Sequence, residues 1–280
     1  MMDTIAVHGL PWLAALAGAL VATGLVAGLM AGLIGIGGGI VIVPVLYNLF
    51  TWLGIDPSVR MHVAVATSLA TIVPTSIVSA HSHYQRGSLD TDLLRSLAPA
   101  ILAGVVAGTV LAGWLSGAAL TAVFAMVALI VALNMALRSS SAALARGLPD
   151  PPARLALGAV IGGFSSLMGI GGGSLAVPLL RMFNVPMRRA VGTGAAISLI
   201  ISVPGALGML ISGLGAAHRP PGSLGYVNFI GFALIVPATV LMAPIGARMA
   251  HRVNPVRLCQ VFALFLLLTS LHMFIDLFGA

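Results

Sequence analysis

Residues Gly35–Gly39 read GIGGG, and Gly169–Gly173 read GIGGG again. The chemistry open to such a run is that of the backbone. Three successive glycines (Gly37, Gly38 and Gly39; Gly171, Gly172 and Gly173) weaken a helix and leave N–H groups uncovered by side chains. A Val-Pro step follows each run. Pro44 lacks an N–H and crowds the carbonyl of Ile40, and Pro178 does the same to Ser174. The pattern predicts a helix that stops at the glycines and a second that starts after them, with the proline near its first turn. A helix start presents free N–H groups and the positive end of the dipole, which suits a small anion. The candidate binding groups are therefore the backbone of Gly35, Gly37–Ile40, Gly169 and Gly171–Ser174, with Pro44 and Pro178 marking the helix breaks.

Hydroxyls form a second candidate set. Thr67 and Ser68 in VAVATSLAT align with Ile197 and Ser198 in GTGAAISLI, and Thr193 lies one turn earlier. Such groups can donate to an anion's oxygens, or they can bond their own helix carbonyls. His81 and His83 form an H-x-H, but a spacing of two puts the rings on different helix faces and no third ligand is near. They read as interfacial loop histidines, and no metal is expected. No span carries an acidic residue at mid-depth. Proton coupling would need His62 or the substrate's own proton, and sodium coupling through carbonyls stays open. Ile40 and Ser174 occupy the sixth position of what would be G-x-G-x-x-G, and no P-loop or nucleophile constellation occurs. No cofactor and no enzymatic activity are expected.

The elements that must position these residues belong to a membrane. Of 280 residues, 59% are hydrophobic and 7% charged, with a mean hydropathy of +1.12. Soluble domains carry about 25% charged residues, so this chain cannot cover a soluble surface. The net charge of +7 comes from arginines between apolar runs, with no lysine, which points to lipid headgroups and not to nucleic acid. The single Cys259 excludes an internal disulfide. The first apolar stretch lacks a basic flank and is too long for a signal peptide, so it reads as a span. A span needs roughly 20 apolar residues. On that measure the spans are an interrupted stretch from Pro11 to Leu53, then His62–Ala80, Leu93–Leu115 and Ala118–Leu137. They continue with an interrupted stretch from Leu155 to Phe183, then Ala190–Ile211, Tyr226–Ala247 and Val256–Phe278.

The two sets form an internal repeat. Gly35 and Gly169 are 134 apart, as are Pro44 and Pro178; Pro74 and Pro204 differ by 130, and Pro99 and Pro237 by 138. The expected fold is an all-α integral membrane protein with about eight transmembrane helices in two four-helix repeats, residues 1–137 and 153–280, joined by a linker at 138–152. The first helix of each repeat is broken at GIGGG. Repeats with paired broken helices are a feature of secondary transporters. Four spans per half imply parallel repeats, whereas a re-entrant element after Gly39 would invert them. With the amino terminus outside, seven arginines face in and six out, which does not decide orientation. Gly28/Gly32, Gly104/Gly108 and Gly158/Gly162 are plain GxxxG pairs and read as packing.

The two GIGGG copies with their Val-Pro steps, the Thr67-Ser68-Leu69 patch and the four-plus-four repeat resemble the sulfite exporter TauE/SafE family of bacterial permeases. The resemblance spans Leu10 to Leu277. It implies transport of sulfite or organosulfonates across the bacterial inner membrane, which agrees with the anion preference of helix starts. It also implies site roles for Gly35, Gly37–Gly39, Pro44, Thr67, Ser68, Gly169, Gly171–Gly173, Pro178, Thr193 and Ser198. The second copy departs from the family's T-S-L form at Ile197. The expected partners are a small anionic substrate and the lipid bilayer, and the coupling ion is undecided between proton and sodium. Alternatives are a permease for another anion such as a carboxylate, and a non-transporting membrane subunit whose glycines serve packing alone.

Overall fold

In the computed structural model, residues 2–35, 37–137, 147, 149–250 and 255–278 are described. Positions 138–146 and 148, most of the expected linker, lie outside them, as do the side chains of Asp3 and Cys259. The regular secondary structure of the described residues is helical apart from one two-stranded ribbon. The helices are α1 (Met2–Ile34), α2 (Gly39–Trp52), α3 (Pro57–Gln85), α4 (Thr91–Trp114), α5 (Gly117–Leu137), α6 (Pro151–Met168), α7 (Gly173–Met182), α8 (Met187–Ser212), α9 (Phe229–Met249) and α10 (Pro255–Phe278). The ribbon pairs β1 (Ser223–Leu224) with β2 (Val227–Asn228), just ahead of α9, where the sequence predicted helix from Tyr226. Among the described residues, six helices are long and apolar enough to cross a membrane: 14–34 within α1, α3, α4, 117–134 within α5, α8 and α9. Leu, Ile and Val side chains cover their outer faces, as at Val106, Leu207 and Leu241, which is the surface lipid requires.

Neighbour contacts fix the direction of each helix. Along α1, Gly24 faces Ile235, Gly28 faces Thr239 and Gly32 faces Ala243, so α1 and α9 run parallel. In α4, Gly104 faces Ala159 and Gly108 faces Gly163, so α4 and α6 run parallel as well. These are the GxxxG positions. A methyl group at Gly28 would lie 2.6 Å from the Thr239 Cα, which is why only glycine allows the backbones to approach. At the core α3 crosses α8 in the opposite sense, with Leu69 against Gly205 and Ser88 against Gly192.

The bundle therefore has two ends. At the first end lie the start of α3, the end of α4 and the loop before α9. There His62 Nε2 sits 3.1 Å from the carbonyls of Ala112 and Leu115, its ring stacked on Tyr226, and His218 approaches Asp56 at 3.8 Å. At the second end lie the end of α3 and the starts of α4 and α8, joined by an Arg189–Asp90 pair at 3.6 Å. His83 belongs to α3 near this end and is buried, its Nε2 3.1 Å from the Gly32 carbonyl. It is not the interfacial loop histidine expected, because α3 continues to Gln85; His81 on the other face is exposed.

Candidate functional site

Each glycine run ends one helix and opens another, and the second helix doubles back. Helix α1 reaches the second end, where the carbonyl of Gly32 meets His83 and Gly35 lies against Val191. The chain then turns inward through Gly35, Gly37 and Gly38, with φ of 71°, 72° and 80°. Only glycine takes this left-handed region without strain. Helix α2 starts at Gly39 in the middle of the bundle and returns along α3 to the first end. The mirror event ends α6 at Gly169, φ 66°, against Val65 near the first end. The Ile170 N–H donates to the Ser165 carbonyl at 3.1 Å, the six-to-one bond of a glycine-closed helix terminus. Helix α7 then starts at Gly173 and runs to the second end. The sequence placed the breaks but read each as an interruption within one span. The 14 residues of α2 and the 10 of α7 are return segments, too short to cross a bilayer. Pro44 and Pro178 each stand at the sixth residue of their helix, a turn later than expected.

The two loops meet. A methyl group on Gly37 would lie 3.1 Å from the Cα of Gly171 and from the Ile72 side chain, and 3.3 Å from the Cβ of Ser198. One on Gly39 would lie 2.5 Å from the Gly169 carbonyl oxygen and 2.9 Å from Ser68 Oγ. One on Gly172 would strike Ile197 and Ile201. All these residues, with Ile40 and Ser174, are buried. The first turns of α2 and α7 thus converge on one point between α3 and α8, approached from opposite ends of the bundle. Each brings the positive end of its dipole to that point.

The hydroxyls take defined partners. Ser68 donates to the Gly169 carbonyl at 2.7 Å. Ser198 accepts the Gly173 N–H at 3.1 Å and donates to the Gly194 carbonyl at 2.9 Å. The Ser174 N–H bonds the Gly171 carbonyl at 3.0 Å, so two N–H groups expected to be bare in the second copy have partners. Thr67 and Thr193 lie off the glycine loops. Thr67 accepts the Asn228 N–H at 2.9 Å and Thr193 the Asp90 N–H at 3.1 Å. Asn228 and Asp90 in turn cap α9 and α4, accepting from Gly231 and Leu93 at 2.9 and 3.0 Å. Thr67 and Thr193 do the same work 126 positions apart, as do Val65 and Val191 against the glycines. The start of the central helices is therefore shifted by about one turn from the register that set Ile197 opposite Thr67.

The sequence missed Asp90 and Asn228. Both precede apolar runs as cap-forming residues, 138 apart like Pro99 and Pro237, and that was the available signal. His62, the one side chain named for proton coupling, lies nearly two turns before Ser68, at the first end and not at the glycine loops.

Such a bundle, with lipid-compatible outer faces, long apolar helices and two return segments meeting at its centre, defines a multi-pass helical membrane protein. Comparison with known proteins narrows the class. The profile of the sulfite exporter TauE/SafE family matches residues 20–273, and the chain belongs to that family. It is 32% identical over 252 residues to a "probable membrane transporter protein" of Haemophilus influenzae, covering 90% of this chain and 96% of the relative. A protein of the same description from Methanocaldococcus jannaschii is 26% identical over 246 residues, covering 84% and 87%. Another, from Bacillus subtilis, is 26% identical over 268 residues, covering 89% and 94%. No solved structure matches.

Proposed function

We propose that this chain is a secondary transporter that moves a small sulfur-containing anion, such as sulfite or an organosulfonate, across the bacterial inner membrane. The observation that carries the reading is the meeting of the α2 and α7 starts at the centre, with Gly37 packed against Gly171. Two positive helix ends aimed at one buried point favour negative charge, and glycine lets the backbone come within bonding distance of the anion's oxygens. Ser68 and Ser198 flank the point, and their hydroxyls, which donate here to the Gly169 and Gly194 carbonyls, serve an anion without a buried cation once they turn from those carbonyls. Residues 1–137 and 153–280 form two repeats, α1–α5 and α6–α10, of inverted sense. The reading draws support from the paired contacts: α1 on α9 answers α6 on α4, and Thr67 on Asn228 answers Thr193 on Asp90. The packed loops correspond to an occluded state, and rocking of the repeats about the crossing of α3 and α8 exposes the centre to each end in turn. The family and the relatives' descriptions as membrane transporters favour transport, and the helix ends favour an anion.

The tight fit at Gly39 favours a second reading, a non-transporting subunit in which the glycines serve packing alone. Exchange in proteoliposomes decides between them. Labelled sulfite or sulfonate exchanging only when the protein and an unlabelled pool of the same anion are present supports transport. A thermal-shift series in detergent against sulfite, thiosulfate, taurine, sulfoacetate and carboxylates then ranks substrates, since a ligand of the folded form raises apparent stability. No exchange and no shift with any anion removes the transport reading.

A further inference from the structure

The directions of the helices sort the arginines. Arg86, Arg188 and Arg189 cluster where α3 ends and α8 begins, with the Arg188 guanidinium donating to the Arg86 carbonyl at 2.6 Å. Arg95 and Arg154 stand in the first turns of the parallel helices α4 and α6, which start at the same end. Arg181 ends α7, bonding the Val185 carbonyl at 3.3 Å, and Arg248 ends α9. All seven stand at the second end. The first end holds Arg60, turned onto the Ile55 carbonyl at 2.9 Å, and Arg219 in the loop before α9. The other four arginines lie outside the described side chains. The even split expected from the sequence disappears because α2 and α7 double back, which moves every connection after Gly39 and before Gly169 to the opposite end.

Short connections rich in arginine are retained on the cytoplasmic side of a membrane, where the anionic leaflet attracts them and the membrane potential opposes their transfer. Here the carrying loops are short: 86–90 joins α3 to α4, and 183–186 joins α7 to α8. Inverted repeats make the two ends of the scaffold nearly alike, so the fold itself gives no preference for either orientation. Seven arginines against two do. The acidic residues do not reverse this: Asp90, Asp92 and Asp150 stand at the second end, Asp56 and Asp276 at the first, and carboxylates contribute little to orientation. We infer that the second end is the cytoplasmic face, its arginines seated against the anionic headgroups of the inner leaflet, with the α1 start and the α10 end on the opposite side. In this orientation α7 leads from the central point to the cytoplasm and α2 leads from it to the exterior. The inference rests on the chain's spanning the membrane and not on the substrate, so a failure of the transport assay leaves it standing.

Cysteine accessibility tests it. On a Cys259→Ser background, Ala217→Cys marks the first end and Thr91→Cys the second; both positions are exposed. A membrane-impermeant maleimide is applied to intact spheroplasts and to inverted vesicles from the same cells. The expected result is labelling of Ala217→Cys only in spheroplasts and of Thr91→Cys only in inverted vesicles. The opposite pattern overturns the inference, and so does labelling of both cysteines in both preparations, which means chains inserted both ways. Ser116→Cys and Gln85→Cys repeat the readout on other exposed residues of the same two ends, so the result does not hang on one variant.

Discussion

Gly39→Ala isolates what the meeting of the loops demands. Gly39 is the first residue of α2 and has ordinary helical geometry, so propensity alone favours alanine by about 1 kcal/mol. The added methyl, however, would stand 2.5 Å from the Gly169 oxygen, 2.6 Å from Ile72 Cδ1 and 2.9 Å from Ser68 Oγ. Two of those atoms form the Ser68–Gly169 hydrogen bond, whose loss costs about 0.5–1.5 kcal/mol. Overpacking of a tight core costs about 1–3 kcal/mol. The unfavourable effects outweigh propensity, and Gly39→Ala is expected to destabilise by about 1–3 kcal/mol. Gly18→Ala provides the contrast: this helical glycine has nothing within 4 Å, so the change is expected to be neutral or stabilising by up to about 1 kcal/mol. Thermal unfolding in detergent measures both, and anion exchange in proteoliposomes follows activity. If Gly39→Ala proves as stable as Gly18→Ala and exchanges anions at the wild-type rate, the close meeting of the loops is wrong.

Three further outcomes are expected. Ser198→Ala leaves the buried Gly173 N–H without its acceptor and should cost about 1–3 kcal/mol on unfolding in detergent; an unchanged melting temperature would mean that the hydroxyl does not hold the start of α7. Thr67→Val and Thr193→Val should each cost about 1 kcal/mol, matched because each removes the acceptor for a cap residue's N–H, and the double variant should be additive within about 0.5 kcal/mol. The Ser58 hydroxyl and N–H hold the Asp56 carboxyl below its ordinary 3.8, so its cap on α3 stabilises above that value and is lost as pH falls through the folded value. Asp56→Asn should flatten this acid limb of the pH–stability curve, and an unaltered limb would show that other carboxylates govern it.

The helix breaks were legible because the requirement is local. A positive φ at Gly35, Gly37, Gly38 and Gly169 asks for glycine whatever surrounds it, and the likeness of two such runs is what led to the expectation of a repeat. The direction taken after the break was not legible. A glycine turn allows continuation or return equally, and the choice belongs to α3 and α8, against which α2 and α7 pack. One reversal per half changes the sense of everything downstream, which is why arginine counting along the sequence gave an even split. The role of Thr193 was hidden for a related reason. Matching the Ser68 and Ser198 neighbourhoods aligned the middle of α3 and α8, where Pro74 and Pro204 agree, while the threonines belong to a stretch shifted by a turn. His83 was misplaced because a polar SAHSHYQ segment reads as loop unless a carbonyl such as that of Gly32 is known to await the imidazole.

The pairing of α1 with α9 has a consequence for biosynthesis. The glycine face at Gly24, Gly28 and Gly32 finds its complement about 210 residues later in the chain, which at 5–20 residues per second is a wait of about 10–40 s. During that interval the glycine face of α1 lacks its partner, and its small-residue groove must be covered by lipid or by an insertion chaperone. Helix α4, made early, likewise waits for α6. Neither half can complete its own packing, so the chain assembles by interlocking after insertion, and a truncation before α9 would leave α1 exposed to quality-control proteolysis.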